Sequence, residues 1–282
     1  MEGQVWVIVE ELLSWVEGCP ARCRHSDRDV LRVSLWGILH DRPMSWACRE
    51  ENWPTKLRPA RLPDDSTVSR RWKRLELHRK AYALHEMGVR RFGENSRYGI
   101  VDGRPLPVGG CTKDPDARAG RSAGGMGIGY KMHALVSLKH VILSYEIRPM
   151  NEAETTVALN LVERMPENIT RVLGDGGYDS MNLHRRLEVA GKKLYAPIRQ
   201  GRVGRRQQPR RLQLLRLWQR SIGRRLEKAR DEVERTFGQE SNVAFGFKGL
   251  PAWARRSRRV HRWMWGKNLL HNAWLLTKTN AA

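Results

Sequence analysis

The sequence predicts an α/β fold: a mixed sheet flanked by helices and preceded by a helical module. Three observations predict it. Apolar residues recur at helical spacing up to about Phe92 and alternate at strand spacing beyond Tyr98. Two short apolar runs, one through Ile100 and Val101 and one through Val172 and Leu173, each lead into an aspartate followed by glycine. Further strand-like runs then alternate with helical stretches, the pattern of a sheet with helices on its faces. The 282 residues suffice for two ordinary domains. The change of period places the boundary at 1–95 and 96–282.

In the first part, Val5, Ile8, Val9, Leu12, Leu13 and Val16 form one amphipathic helix that stops near Gly18 and Pro20. Ser26, with Asp29 three residues on, caps a second helix through Leu31, Leu35, Ile38 and Leu39. A short helix at 44–51 follows. Asp64 to Thr67 then cap a third helix, Val68 to Leu75, whose Arg70, Arg71, Lys73 and Arg74 make it strongly basic. Such a helix suits the second element of a helix-turn-helix-like DNA-binding module, against the plainer reading of a solvated basic face.

The second part begins with a strand ending at Asp102, followed by a glycine-rich basic excursion from Gly109 to Gly129. Strands at Tyr130 to Leu138 and Val141 to Ile147, a helix at Glu154 to Met165, a strand at Arg171 to Leu173, a helix at Met181 to Ala190 and a strand at Lys193 to Ile198 complete the order. Three opening strands followed by βα units make a ribonuclease-H-like topology, in which the first and fourth strands lie side by side and parallel. That adjacency would bring Asp102 and Asp175 together.

Lys and Arg number 52 against 30 Asp and Glu, for a formal charge of +22. A chain so basic, with its charges clustered, is attracted to polyanions, and DNA or RNA is the leading partner. Arginines are dense at 199–225, a basic insertion about residues 199–223 that could track a DNA backbone, and again at Arg255, Arg256, Arg258, Arg259 and Arg262. The latter run into Val260, Trp263, Met264, Leu270 and Trp274 at helical spacing, a C-terminal helix whose Trp263 and Trp274 belong in a core. Cys19, Cys23, Cys48 and Cys111 lack paired metal-ligand spacing and read as reduced thiols. No apolar run reaches the roughly 18 residues of a membrane span, and no signal peptide is expected. The cytoplasm, beside the nucleic acid, is the expected location.

Two carboxylates hold a divalent ion loosely. Sites that cut phosphodiesters commonly add a third acid and hold two ions roughly 3.5 to 4 Å apart. The third is sought on the helix-forming stretch 223–237, where Leu226, Ala229, Val233 and Phe237 make an apolar stripe flanked by Glu227, Arg230, Asp231 and Glu234. Glu234 is chosen over Glu232 and Glu227, with Arg230 one turn earlier to orient it or meet a phosphate.

Asp102 in Val-Asp-Gly, Asp175 in Leu-Gly-Asp-Gly-Gly-Tyr-Asp-Ser, and Glu234 in Arg230-Asp-Glu-Val-Glu-Arg-Thr-Phe resemble the three acids of DDE transposases of bacterial insertion sequences. Gly129-Tyr-Lys-Met-His133 is similar to that family's second strand. The family's last signature, Tyr-x2-Arg-x3-Glu-x6-Lys, is matched by Arg230 and Glu234, while Glu227 and Ser241 stand at the Tyr and Lys positions; Lys248 lies further on. The resemblance implies that Asp102, Asp175 and Glu234 hold two Mg²⁺ or Mn²⁺ ions. It implies cleavage of double-stranded DNA at inverted-repeat ends, transfer of the 3′-hydroxyl to target DNA, and a homo-oligomer on DNA in the bacterial nucleoid. Arg70, Arg71, Arg74, Lys131, Arg230 and Lys248 are the expected DNA contacts. The alternatives are a nuclease of the same fold without strand transfer, and a DNA-binding remnant without catalysis.

Overall fold

A computed structural model of the chain describes residues 2–18, 23–93, 95–109, 113–122, 124–198, 209–242 and 246–279. The chain divides into two compact units, one of residues 94–239 and one made of 1–93 together with 240–282. The sequence reading had given the C-terminal helix to the sheet domain. The structure corrects this: that helix completes the core of the helical unit.

In the sheet unit, β1 (Tyr98–Pro107) pairs antiparallel with β3 (Gly125–Ser137), and β3 pairs antiparallel with β4 (Ile142–Pro149). On its other edge β1 runs parallel to β5 (Arg171–Leu173), which in turn runs parallel to β6 (Lys193–Tyr195). The first and fourth of the expected strands are thus neighbours and parallel, as the topology required, but β1 does not end at Asp102 as expected: its pairing with β3 carries it through Gly103 to Pro107. One strand is additional. The glycine-rich stretch expected to be a flexible excursion forms β2 (Arg118–Ser122) and the first half of β3, paired as a hairpin; its residues 110–112 and 123 lie outside the described residues.

α6 (Glu154–Glu163) and α7 (Met181–Val189) pack on the sheet, where Val101, Leu135 and Val172 meet Ala158, Leu161, Val162, Leu183 and Leu187 around one apolar pocket. Each valine or leucine among them contributes about 1.5–3 kcal/mol on burial. The basic segment carries α8 (Pro209–Trp218) rather than irregular chain alone. Arg202, Arg205 and Arg206 lie outside the described residues, as do the side chains of Arg210 and Arg211. The single helix expected at 223–237 is two, α9 (Ser221–Arg230) and α10 (Glu232–Asn242), broken at Asp231.

The helical unit contains α1 (Glu2–Ser14), α2 (Asp27–Leu39), α3 (Met44–Ala47), α4 (Asp65–Arg71), α5 (Leu75–Phe92) and α11 (Ser257–Thr279). Ser26 and Asp29 form the expected reciprocal cap of α2, and Asp64 caps α4 by accepting from Thr67 N–H at 2.7 Å. The basic helix predicted at 68–75 is instead α4 and the start of α5, with Arg74 at the N-cap of α5. α11 is buried on all sides from Trp263 to Leu276, the polar Lys267, Asn268, His271 and Asn272 included, because α1, α2 and α5 pack against it. Trp263 and Trp274 are buried in it as expected, and Trp265, also buried, donates from Nε1 to Ala81 O at 2.6 Å. Among the described residues Cys23 and Cys48 form no disulfide, and burial pushes Cys48 up to about 12; Cys19 and Cys111 lie outside the described residues. Among the described residues no helix is long and apolar enough to cross a membrane.

Candidate active site

The register between β1 and β5 sets Ile100 opposite Leu173. Asp102 and Asp175 each follow that pair by two residues, so two acids 73 positions apart emerge at one level of the sheet. β5 ends at Leu173, which leaves the edge of β1 beside Asp102 open. Asp175 caps a single 3-10 turn at Gly176–Tyr178, its Oδ1 accepting from Gly177 N–H at 2.7 Å. Asp102 Oδ1 accepts from Gly103 N–H at 2.7 Å.

Asp102 is pushed up to about 6, first by burial and then by the charges of Asp175 and Glu154, against the opposing pull of Gly103 N–H and of Arg230. Glu154, the first residue of α6, accepts from Lys131 Nζ at 2.9 Å. Tyr178 is wholly buried, and burial first, then Asp102, Glu154 and Asp175, drives its phenol well above the ordinary value. These residues form the electrostatic neighbourhood of Asp102. Among the described residues, no three His, Cys, Asp or Glu side chains are grouped so as to hold a metal ion.

Glu234 lies exposed on α10. Its helix is tied to the sheet unit at two points. His140, in left-handed backbone at the β3–β4 turn, meets Thr236 Oγ1 through Nδ1 at 3.0 Å, and Phe237 lies under the Arg104 guanidinium at 5.6 Å. Arg104 follows Asp102 by two and so projects from the same face of β1. Glu232 is occupied by Arg235 and His140, whereas Glu234 has no ion pair among the described residues. Arg230 pairs with Asp231 at 2.9 Å and acts on Asp102 through its charge.

The basic residues divide. Arg70, Arg74 and Lys248 are exposed in the helical unit. Arg71 is 4% exposed, pairs with Asp27 and donates to His25 O at 3.0 Å. This corrects its reading as a DNA contact, since its guanidinium is consumed inside the unit. Lys131 is likewise buried and held by Glu154 rather than presented to solvent. The sequence reading assigned no role to Glu154 or Tyr178. A glutamate at a helix start is common, and its pairing with Lys131 becomes visible only when α6 is placed over β3.

A mixed sheet in which the first strand runs antiparallel to its hairpin neighbours and parallel to the strand carrying the second aspartate defines a ribonuclease-H-like fold. The family model described as the transposase DDE domain matches residues 94–273, well over half of the chain. The chain belongs to that family, and so to the transposases. No curated protein and no solved structure matches it significantly.

Proposed function

We propose that this transposase cleaves double-stranded DNA at the inverted-repeat ends of a mobile element and joins the freed 3′-hydroxyl to target DNA. The observation that carries the reading is the common level of Asp102 on β1 and Asp175 two residues past the end of the adjacent parallel β5. Each aspartate has one oxygen accepting from a backbone N–H, which leaves its second carboxylate oxygen as the hard donor a divalent cation takes. Asp102, Asp175 and Glu234 would hold two Mg²⁺ or Mn²⁺ ions, which supply activation of the attacking hydroxyl and charge neutralisation at the leaving 3′-oxygen.

The rest falls to the chain itself. What supports Glu234 is its position on α10 one turn before Phe237, which meets Arg104, and four residues after Arg230, the last residue of α9, whose charge acts on Asp102. Arg230 serves as a phosphate-facing cation beside Asp102, and a guanidinium suits that role through its fork of donors. Arg70, Arg74 and Lys248 are DNA contacts on the helical unit, read as a helix-turn-helix-like module. The protein acts on bacterial nucleoid DNA as a homo-oligomer.

The test supplies purified protein with Mn²⁺ or Mg²⁺, a pre-cleaved element end and target DNA. Joined product is expected from wild type and none from D102N, D175N or E234Q, each of which still binds the end. Cleavage without any joined product would instead make the protein a nuclease, and binding without cleavage a catalytically inactive remnant.

A further inference from the structure

The β2–β3 hairpin has no part in the reading above, yet one of its faces continues the face of Asp102. Asp102 on β1 stands opposite Ala134 on β3, and partners in an antiparallel pair point to the same side of a sheet. Side chains alternate along a strand, so Ala134, Met132, Tyr130, Ile128 and Met126 share that side. Across the hairpin, Ala119 opposite Ile128 and Arg121 opposite Met126 join them. The buried part of this side ends at Tyr130, whose hydroxyl donates to Asp114 at 2.9 Å. Beyond it the surface is open: Met126 is 77% and Ile128 46% exposed, with Ala119 and Arg121 exposed beside them. The other side of the hairpin is closed, since a carbon added at Gly120 would meet Met150 O at 2.3 Å.

Single exposed apolar side chains are ordinary. Here two occupy successive positions of one strand face, on a ribbon that the Tyr130–Asp114 bond and the close approach at Gly120 hold in place. Charge says what covers them. Residues 117–129 contain two arginines and no acid. Arg118 belongs to the closed side and donates to Pro115 O and Ala117 O, whereas Arg121 is the cation of the open side. An apolar strip edged by a cation suits the groove of a DNA duplex, where arginine meets phosphate and apolar side chains meet sugar and base edges. Ile128 and Met126 precede Ala134 by six and eight residues, about 20 and 26 Å at roughly 3.3 Å per residue. Along a duplex this is about 6 to 8 base pairs at roughly 3.4 Å each.

We infer that the β2–β3 hairpin is a DNA-docking ribbon that lies in a groove of the duplex at that distance from the phosphate held at Asp102. Met126 and Ile128 rest on sugar and base edges, Arg121 meets the backbone, and the ribbon sets the register in which a DNA end reaches Asp102. The inference rests on the reading of Asp102 as part of the cutting site, and its test separates the two.

Hydroxyl-radical footprints and binding isotherms are taken on the full-length protein with a pre-cleaved element end, alongside cleavage of an intact end. Folding is followed by circular dichroism and self-association by sedimentation. Wild type is expected to protect sugars about 6 to 8 base pairs from the cleaved 3′ end. M126T/I128T should lose that protection, keep the rest, and bind about tenfold more weakly. R121E, opposite Met126, should lose the same protection and is read alone if M126T/I128T does not fold. R121Q should lower the slope of log affinity against log salt by about 0.9. Unchanged footprints and affinity in M126T/I128T and R121E, with cleavage intact, overturn the ribbon and leave the reading of Asp102 standing. Lost self-association with an unchanged footprint makes this face a contact between copies of the chain and overturns it as well. Protection at the expected distance that depends on Met126 and Ile128, in a protein that cuts no DNA, keeps the ribbon contact and removes the cutting site.

Discussion

Asp102 carries a cost that its neighbours impose. Its carboxyl is pushed up to about 6, so between roughly pH 4 and that value the folded chain holds a proton the unfolded chain has lost. Stability contributed by this group therefore falls as pH rises through that window and stays lost at neutral pH. Replacing Asp102 with Asn removes the ionised form, and the metal-free protein is expected to gain roughly 1 to 3 kcal/mol at pH 7 while losing all cleavage. Denaturant titration at pH 7 and pH 4 checks the sign: the gain should vanish at the lower pH. Arg70 and Arg71 make the opposite pair. Arg71→Met leaves Asp27 buried beside Lys80 alone and should cost about 3–5 kcal/mol, whereas Arg70→Ala should leave stability within about 0.5 kcal/mol and weaken DNA binding. A chemical melt together with a DNA-binding isotherm for each variant distinguishes a structural arginine from a contacting one.

At the scale of elements, α11 is held by close backbone approach as well as by its tryptophans. A carbon added at Gly266 would sit 2.4 Å from Ile38 Cδ1 and 2.9 Å from its Cγ2 on α2. Gly266→Ala is expected to cost about 1–3 kcal/mol by overpacking, and Ile38→Val in the same chain should return part of that loss. A double-mutant cycle on thermal or denaturant stability measures the coupling, and strict additivity would show that α2 and α11 do not press together there. α10 depends on smaller devices, the His140–Thr236 hydrogen bond and the Arg104–Phe237 contact. These fix where its turns fall relative to β1, and thereby where Glu234 stands.

The whole molecule is threaded so that its helical unit is closed by the last segment of the chain. Trp263, Trp265, Leu269, Leu270 and Ala273 of α11 are buried in that unit, although α5 ends more than 160 residues earlier. A chain ending at Gln239 should therefore keep the sheet unit folded while the N-terminal helices lose their core. Limited proteolysis should cut such a truncated chain throughout 1–93 and spare 95–198; equal resistance of both regions would show that α1, α2 and α5 suffice without α11.

Much of this was legible in the residues. The alternation of β3 and β4, the capping box of α2 and the aspartates after two short apolar runs are local patterns, and local patterns survive without a structure. The break at Asp231 and the division of α4 from α5 were not legible, because no proline or glycine stands at either point. Arg71 was misread for a related reason. A basic residue on a basic helix looks solvated until an aspartate 44 positions away is folded against it.

The sequence by itself determined most of the strand and helix order, the two aspartates that follow short apolar runs and the basic character that goes with a polyanionic partner, since each depends on residues adjacent in the chain or on composition. Only the tertiary structure decided that Ile100 lies opposite Leu173, that α11 closes the helical unit, and that Lys131 and Glu154 pair against Gly103. Register and burial arise from contacts between distant segments, and no local pattern carries them.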